Sequence, residues 1–384
     1  MPWSTEKCSF PLFRKNDIPN GMKDETFMKR AINLALRGAG RVSPNPMVGC
    51  VIVKNGRIIG EGWHACCGGD HAEINAIKNA RESIAGSTVY ITLEPCTHYG
   101  RTPPCVDRLV KERPVRVVIG TEDPNPIVRG RGVEILKKNG ISVTLGVREL
   151  ECRRLIAPFA KHITTGLPFV TVKYAQSLDG RIATSSGHAR WISSPLALKY
   201  AHELRREHDA ILVGKGTVLA DDPELTTRHV RGPNPLRVIL DARLSLPLTA
   251  RVFTTLEKAP TLVITSVQAP VEKKRVLEAQ GIEVKEVGEK SPGYLNLEEI
   301  LKFLGKRNMT SLLVEGGSEV ITAFIAAKLV DRLIVVLCPC IIGEGLPAVG
   351  NLQTHTIDEA KRFVVEQVKK KGQDYIFTLT PEEV

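Results

Sequence analysis

Aromatic residues make up only 5% of this 384-residue chain, too few to supply the stacking platforms that line nucleic-acid grooves. No apolar run approaches the length of a membrane span. The first 21 residues contain Pro2, Pro11 and Pro19 and charges of both signs, and they lack the apolar core of a secretory signal. Nine cysteines spread over this length do not make a disulfide framework, so a reducing, cytoplasmic setting is expected. No GxGxxG fingerprint is present, which argues against a Rossmann dinucleotide site. Repeats of fixed period and low-complexity segments are also missing. What remains is an ordinary soluble composition, 42% hydrophobic, in a chain whose length calls for two domains. The net charge of +11 comes from scattered basic residues, with Lys369-Lys370-Lys371 the only tight run, read as a solvated strand edge or turn. Such charge suits phosphorylated small molecules as well as nucleic acid, and the scarcity of aromatics favours the former.

Against this background His71-Ala72-Glu73, Pro95-Cys96 and Cys105 stand out. They match the H-x-E…P-C-x-x-C signature of zinc-dependent base deaminases, with the last spacer lengthened. Zinc takes imidazole nitrogen and thiolate sulfur readily, and a catalytic zinc keeps three protein ligands. His71, Cys96 and Cys105 are the expected ligands, one zinc per chain. Two thiolates offset much of the metal's charge, which calls for a neighbouring carboxylate to move protons, and Glu73 is the candidate. His71 opens a run with helical apolar spacing, and Cys105 follows Pro103-Pro104, a helix-start signal. A thiolate at a helix start is favoured by the exposed amides. The alternative is a closed structural zinc with Cys50, Cys66 or Cys67 as fourth ligand. That alternative leaves Glu73 and the polar stretch Thr97–Arg101 without a purpose.

The periodicity predicts an α/β layered first domain. A helix spans about 25–39, strands run over 48–54 and 57–63 around an Asn55-Gly56 turn, and further strands lie at 88–93 and 115–120. Another helix–strand pair passes through Val133 and Val143, and residues 150–165 read as a connecting helix ended by Gly166-Leu167-Pro168. Strand–helix alternation then restarts and ends in an antiparallel pair at 363–369 and 375–379. The expected boundaries are a flexible N-terminal extension over 1–24, a first domain over 25–166 and a second over 167–384. A strand ending at Glu315-Gly316-Gly317 before a helix offers backbone amides suited to phosphate, and Arg205, Arg228 and residues 217–223 add polar groups around it.

Together these pieces resemble the bifunctional riboflavin-biosynthesis deaminase/reductases, from about residue 25 to the C-terminus. The resemblance is carried by residues 43–49 (SPNPMVG), Gly62-Trp63-His64, His71-Ala72-Glu73, Glu94-Pro95-Cys96 and His98–Cys105 in the first half. In the second half it is carried by Lys173–Gly180, Trp191-Ile192, Thr217–Pro223, Leu225-Thr226 and Glu315-Gly316-Gly317. It implies a cytidine-deaminase-like three-layer domain followed by a dihydrofolate-reductase-like domain. The first would hydrolyse the ring amine of 2,5-diamino-6-(5-phosphoribosylamino)pyrimidin-4(3H)-one. The second would use NADPH to reduce the ribosyl group, giving 5-amino-6-(5-phosphoribitylamino)uracil.

The resemblance also implies roles. Asn45 and His64 would line the pyrimidine pocket, although a structural role for His64 is the alternative. NADPH would meet Ala175, Trp191, Thr217, Asp221, Ala242 and Gly317. The reductase substrate would meet Ala189, Arg205, Leu225, Arg228 and Glu315. Lys173 is a strand lysine that could instead pair with a carboxylate. Ala189 and Ala242 stand where relatives often carry serine, so a deaminase with an impaired or repurposed reductase is the alternative function. A homo-oligomer is implied as well.

Overall fold

The computed structural model describes residues 20–97, 103–126, 128–189 and 192–382. The chain divides into two compact units. One takes residues up to Gly38 with Met47–Ile156, the other Ala39–Pro46 with Ala157–Val384. The division falls ahead of residue 166, and the first helix already starts at Asn20, inside the stretch read as an extension.

The first unit begins with α1 (Asn20–Ala35) and the hairpin β1 (Gly49–Lys54) and β2 (Arg57–Trp63). It continues with α2 (Ala72–Lys78), β3 (Thr88–Leu93), α3 (Cys105–Glu112), β4 (Arg116–Thr121), α4 (Arg131–Lys138) and β5 (Ser142–Leu145). The sheet order is β2-β1-β3-β4-β5, antiparallel at β2/β1/β3 and parallel thereafter. Alternation with a period of two sorts the strands' side chains onto two faces. Cys50, Ile52, Val89, Ile91, Val117 and Ile119 pack with α2, α3 and α4. Val51, Val53, Tyr90 and Val118 pack with Met28, Ala31 and Leu34 of α1 and with Cys152. The result is helix, sheet and helix in three layers. Helix α5 (Glu149–Thr165) contains the division between the units.

The second unit carries β6 (Phe169–Gln176), β7 (Arg181–Thr184), α6 (Pro195–Glu207), β8 (Ala210–Gly214), α7 (Lys215–Asp221) and β9 (Leu236–Leu240). Next come α8 (Arg251–Thr254), β10 (Thr261–Ser266), α9 (Val271–Ala279), β11 (Glu283–Val287), and the short hairpin β12 (Glu289–Ser291) and β13 (Tyr294–Leu295). It ends with α10 (Leu297–Lys306), β14 (Ser311–Val314), α11 (Ser318–Ala326), β15 (Arg332–Leu337), β16 (Gly345–Pro347), β17 (Phe363–Lys371) and β18 (Asp374–Pro381). Nine strands order as β11-β10-β9-β8-β14-β6-β15-β18-β17, parallel except for the last two pairings. The two-sided burial of a parallel sheet explains the continuous apolar runs. Leu212, Val238 and Ile264 face α10 and α11, while Ile211, Val213, Ile239 and Val263 face α6, α8 and α9.

Candidate functional sites

The first site forms where helix starts meet the end of β3. His71 is the N-cap residue of α2 and Cys105 the first residue of α3. Cys96 sits in the turn after β3. His71 Nδ1 lies 3.2 Å from Cys105 Sγ and 3.5 Å from Cys96 Sγ. The three ligand atoms lie within 4.8 Å of one another, and they are the only such cluster among the described residues. Cys66 and Cys67 are exposed and Cys50 is buried, and none of them joins the cluster, so the closed four-ligand alternative loses its fourth ligand.

Close packing sets this geometry. A Cβ on Gly62 would fall 2.3 Å from Ala76 N and 2.5 Å from Ala72 O, so only glycine lets α2 lie flat on β2. Asn75 donates its side-chain amide to the carbonyls of Trp63 (2.9 Å) and Asp70 (3.2 Å), tying the loop before His71 to the helix after it. Glu94, just before Pro95-Cys96, is buried. Its carboxylate accepts N–H bonds from Asp123 (3.2 Å), Gly130 (3.0 Å), Gly132 (2.9 Å) and Val133 (3.3 Å). A Cβ on Gly132 would meet Pro95 O at 2.6 Å, so the start of α4 rests directly on the turn that carries Cys96.

Glu73, on the first turn of α2, is 3% exposed. Burial, and next the Cys96 sulfur, push its carboxyl up to about 7, the range where a proton is both taken and given readily near neutrality. The Cys105 thiol, with its backbone N–H 3.3 Å from Cys96 Sγ, holds Cys96 down at about 4 as a thiolate. The same neighbour pushes Cys105 up. His64 is 2% exposed, donates from Nδ1 to Asp70 O (3.0 Å), and sets its ring edge-on to His71 at 5.4 Å between centroids. Burial lowers its pKa. Its ring thus packs against that of His71, a candidate ligand. Asn45, half-buried, lies in the segment 39–46 grouped with the second unit, and its N–H bonds Val42 O at 2.8 Å.

The second site is a cavity of about 890 Å³ at the C-terminal ends of the parallel strands. It is lined by Ala175, Ala189, Thr217, Asp221, Ala242, Glu315 and Gly317 among the residues expected from the sequence. Trp191, like His98–Thr102, lies outside the described residues. Thr217 Oγ1 accepts the Gly317 N–H at 3.0 Å, and no side chain caps α11, which leaves the following amides directed at the cavity. Both alanines, Ala189 and Ala242, line the cavity and offer it no side-chain hydroxyl.

Glu315 sits one residue beyond β14. Its Oε2 accepts Arg205 Nη2 at 2.6 Å and Nε at 3.2 Å, while Oε1 is buried without a hydrogen-bond partner among the described residues. Burial alone would raise its pKa, but Arg205 and Lys173 hold it below the ordinary value, so it is a carboxylate with one acceptor to spare. Arg205 also donates to Thr226 O at 3.3 Å. Among the described residues Arg205, Leu225 and Arg228 do not line the cavity, and Arg205 reaches it through Glu315. Leu225 is buried at a φ of 56°, a left-handed backbone that is costly for leucine. Its neighbour Glu224 is gripped by Arg251 and Lys258.

Several residues around this cavity were not legible beforehand. Lys215, Arg243 and Lys290 line it; the one available signal was Lys215 between two glycines at a strand end. His202 is fully buried, with neither ring nitrogen hydrogen-bonded among the described residues, and lies edge-on to His229 at 4.5 Å. Burial first, then the charges of Arg205 and Arg228, lower its pKa to about 3.

Comparisons with known proteins cover both units. The RibD C-terminal domain family matches residues 168–377. The cytidine and deoxycytidylate deaminase zinc-binding region matches residues 22–121. The riboflavin biosynthesis protein RibD of Aquifex aeolicus is 44% identical over 354 residues, 92% of this chain and 97% of its own length. That of Escherichia coli is 39% identical over 363 residues, covering 92% and 98%. Among solved structures, a diaminohydroxyphosphoribosylaminopyrimidine deaminase/5-amino-6-(5-phosphoribosylamino)uracil reductase from Thermotoga maritima is 41% identical. It aligns with a TM-score of 0.83 over 94% of this chain and all of that one. The RibD of Acinetobacter baumannii is 37% identical with a TM-score of 0.82, again over 94% and all of its length.

Proposed function

The chain belongs to the RibD family of bifunctional riboflavin-biosynthesis enzymes, with a deaminase and a reductase on one polypeptide, and on that premise we propose which residues carry each reaction. The first unit hydrolyses the ring amine of 2,5-diamino-6-(5-phosphoribosylamino)pyrimidin-4(3H)-one to a carbonyl, releasing ammonia. The observation that carries this is Glu73, buried beside a cluster of one imidazole and two sulfurs. That donor set fits zinc, with three protein ligands as in catalytic sites. His71 Nδ1, Cys96 Sγ and Cys105 Sγ would hold it, and bound zinc supplies the Lewis acidity that activates water. Glu73 takes the proton from the attacking water on a carboxylate oxygen and returns it to the departing amine. His64 fixes the His71 ring from behind.

The second unit reduces the ribosyl group to ribityl. The cavity suits a nicotinamide cofactor in its volume of about 890 Å³ and in the backbone amides at the start of α11, and NADPH supplies the reducing equivalents when bound. Thr217, Asp221 and Gly317 hold the cofactor, with Ala175 and Ala242 supplying wall contacts; Trp191 is kept as a further contact on sequence grounds. Glu315 Oε1 accepts a hydroxyl of the sugar chain. Arg205 acts through Glu315, which it holds as a carboxylate; Ala189 supplies a further wall contact, and Arg228 and Leu225 are kept as substrate contacts on sequence grounds. A phosphorylated pyrimidine, rather than nucleic acid, is the ligand of both units. No helix among the described residues is long and apolar enough to cross a membrane; separately, the cysteine usage of the sequence supports a reducing, cytoplasmic setting. A second copy of the chain is the proposed partner, supported by exposed Val364, Val365 and Val368 on the edge strand β17.

The test follows ammonia release and nicotinamide absorbance together on the diaminopyrimidine phosphate. Both signals are expected from the wild type. Ammonia without NADPH oxidation would sink the reductase assignment and revive the impaired-reductase alternative. Glu73→Gln is expected to retain zinc and reduce supplied aminouracil normally, while ammonia release falls by about 10²-fold or more.

A further inference from the structure

His202 is a buried polar group that neither reaction uses. It lies on α6, fully buried, with neither ring nitrogen hydrogen-bonded among the described residues. Leaving a buried polar group unpaired is costly, and a leucine would fill the same space without that cost. The imidazole therefore calls for a role that packing alone does not explain.

Arg205 stands three residues further along α6, on the same side of the helix. Arg205 donates to Thr226 O at 3.3 Å, and the His202 ring meets that of His229 edge-on at 4.5 Å between centroids. These two contacts enclose a tight turn. Val230 donates its N–H to Thr227 O at 2.9 Å, which makes Arg228 and His229 the turn's central residues. The near end of the turn is pinned, because the backbone N–H and Oγ1 of Thr227 both donate to Asn234 Oδ1, at 2.8 and 2.7 Å. Its tip is open, with Arg228 and His229 both exposed. Arg228 forms no ion pair among the described residues, so the ring contact of His229 with His202 is the tie between the tip and α6. Burial keeps the His202 ring neutral near pH 7, and in either tautomer one of its nitrogens is then an acceptor. The guanidinium of Arg228 is the donor that the same turn carries.

We propose that His202 is a positioning residue for the reductase substrate: it seats His229, and with it the turn, and accepts an N–H of Arg228 when that guanidinium engages the substrate. The inference rests on the reading of Arg228 as a substrate contact. It accounts for the polarity of the buried ring and for its place one helical turn from Arg205, which holds Glu315. His202 touches no reacting atom and acts through Arg228.

The experiment is steady-state reduction of supplied 5-amino-6-(5-phosphoribosylamino)uracil by the full-length, zinc-replete chain. NADPH absorbance is followed, with ammonia release from the diaminopyrimidine phosphate read beside it. His202→Leu is expected to raise KM for the aminouracil by about tenfold, leaving kcat, KM for NADPH and ammonia release within about twofold. His202→Gln, which keeps an acceptor, should recover most of that loss. His229→Ala removes the ring contact from the exposed side and should raise the same KM by roughly threefold. Arg228→Gln should raise it at least as much as His202→Leu, and the double variant should be no worse than Arg228→Gln alone. Effects of His202→Leu and Arg228→Gln that multiply, an unchanged KM in His202→Leu and His229→Ala, or a fall in kcat with KM unmoved overturn the inference and leave Arg228 as a substrate contact. A normal KM in Arg228→Gln overturns that reading, and the inference with it. If His202→Leu loses NADPH binding as well, its fold has gone, and His229→Ala decides by the same criterion.

Discussion

Glu94 shows how a residue can govern a metal site without touching it. Its carboxylate is wrapped by four backbone N–H groups immediately before the turn that carries Cys96. Glu94→Gln would set an amide N–H₂ against those donors. The expected loss is about 3 kcal/mol of stability in the first unit, with weaker zinc retention in competition with a chelator; unchanged values on both counts would mean that the bonds are dispensable. His202 gives a prediction with a definite sign. Its pKa falls from an ordinary 6.5 to about 3 in the folded chain. The unfolded chain therefore binds the proton first, and stability that is full above about pH 6.5 is lost as pH falls toward about 3. Urea midpoints measured across that window should fall with pH in the wild type and flatten in His202→Leu. The chemistry of His71, Glu73, Cys96 and Cys105 was legible in sequence because ligand types and helix-start signals are local. Glu94 and His202 were not, because their environment comes from residues far along the chain.

At the scale of elements, periodicity of two predicted the strands of the first sheet and the closing antiparallel pair, and helical spacing predicted α1 and α5. The small pieces escaped. The β12–β13 hairpin is a few residues long and is tied down by Arg243, 46 positions before Glu289; β7 pairs with β16 across a much longer stretch, with Thr184 opposite Gly345. Pairing partners that distant leave no trace in a short window. The contact of α2 with β2 is the element-level feature on which the first site depends. Gly62→Ala drives a Cβ into the backbone of α2, and the helix can relieve this only by moving away with His71 at its tip. A loss of about 2 kcal/mol or more is expected, together with reduced zinc content by metal analysis. Full zinc content would show that the helix start can stay in place while its body shifts.

For the molecule as a whole, each unit has its own sheet and its own buried clusters on both faces. Calorimetry is expected to resolve two unfolding transitions, with zinc removal lowering one and NADPH raising the other. A single transition moved by both treatments would show that the units melt together.

The order of the nine-stranded sheet also bears on how the chain is made. Strands β8 to β11 pair in the order of their synthesis, but β6 has for neighbours β14 and β15, which leave the ribosome much later. The first unit can fold, and bind its metal, while translation continues. The apolar strand β6, with Val170 and Val172 fully buried in the finished protein, must wait with both edges open. The nascent reductase half therefore passes through a prolonged stage in which an unpaired strand is available to chaperones or to a neighbouring polysome. Slow codons or stalls between β6 and β14 would be expected to lower soluble yield far more than the same delays placed earlier in the message.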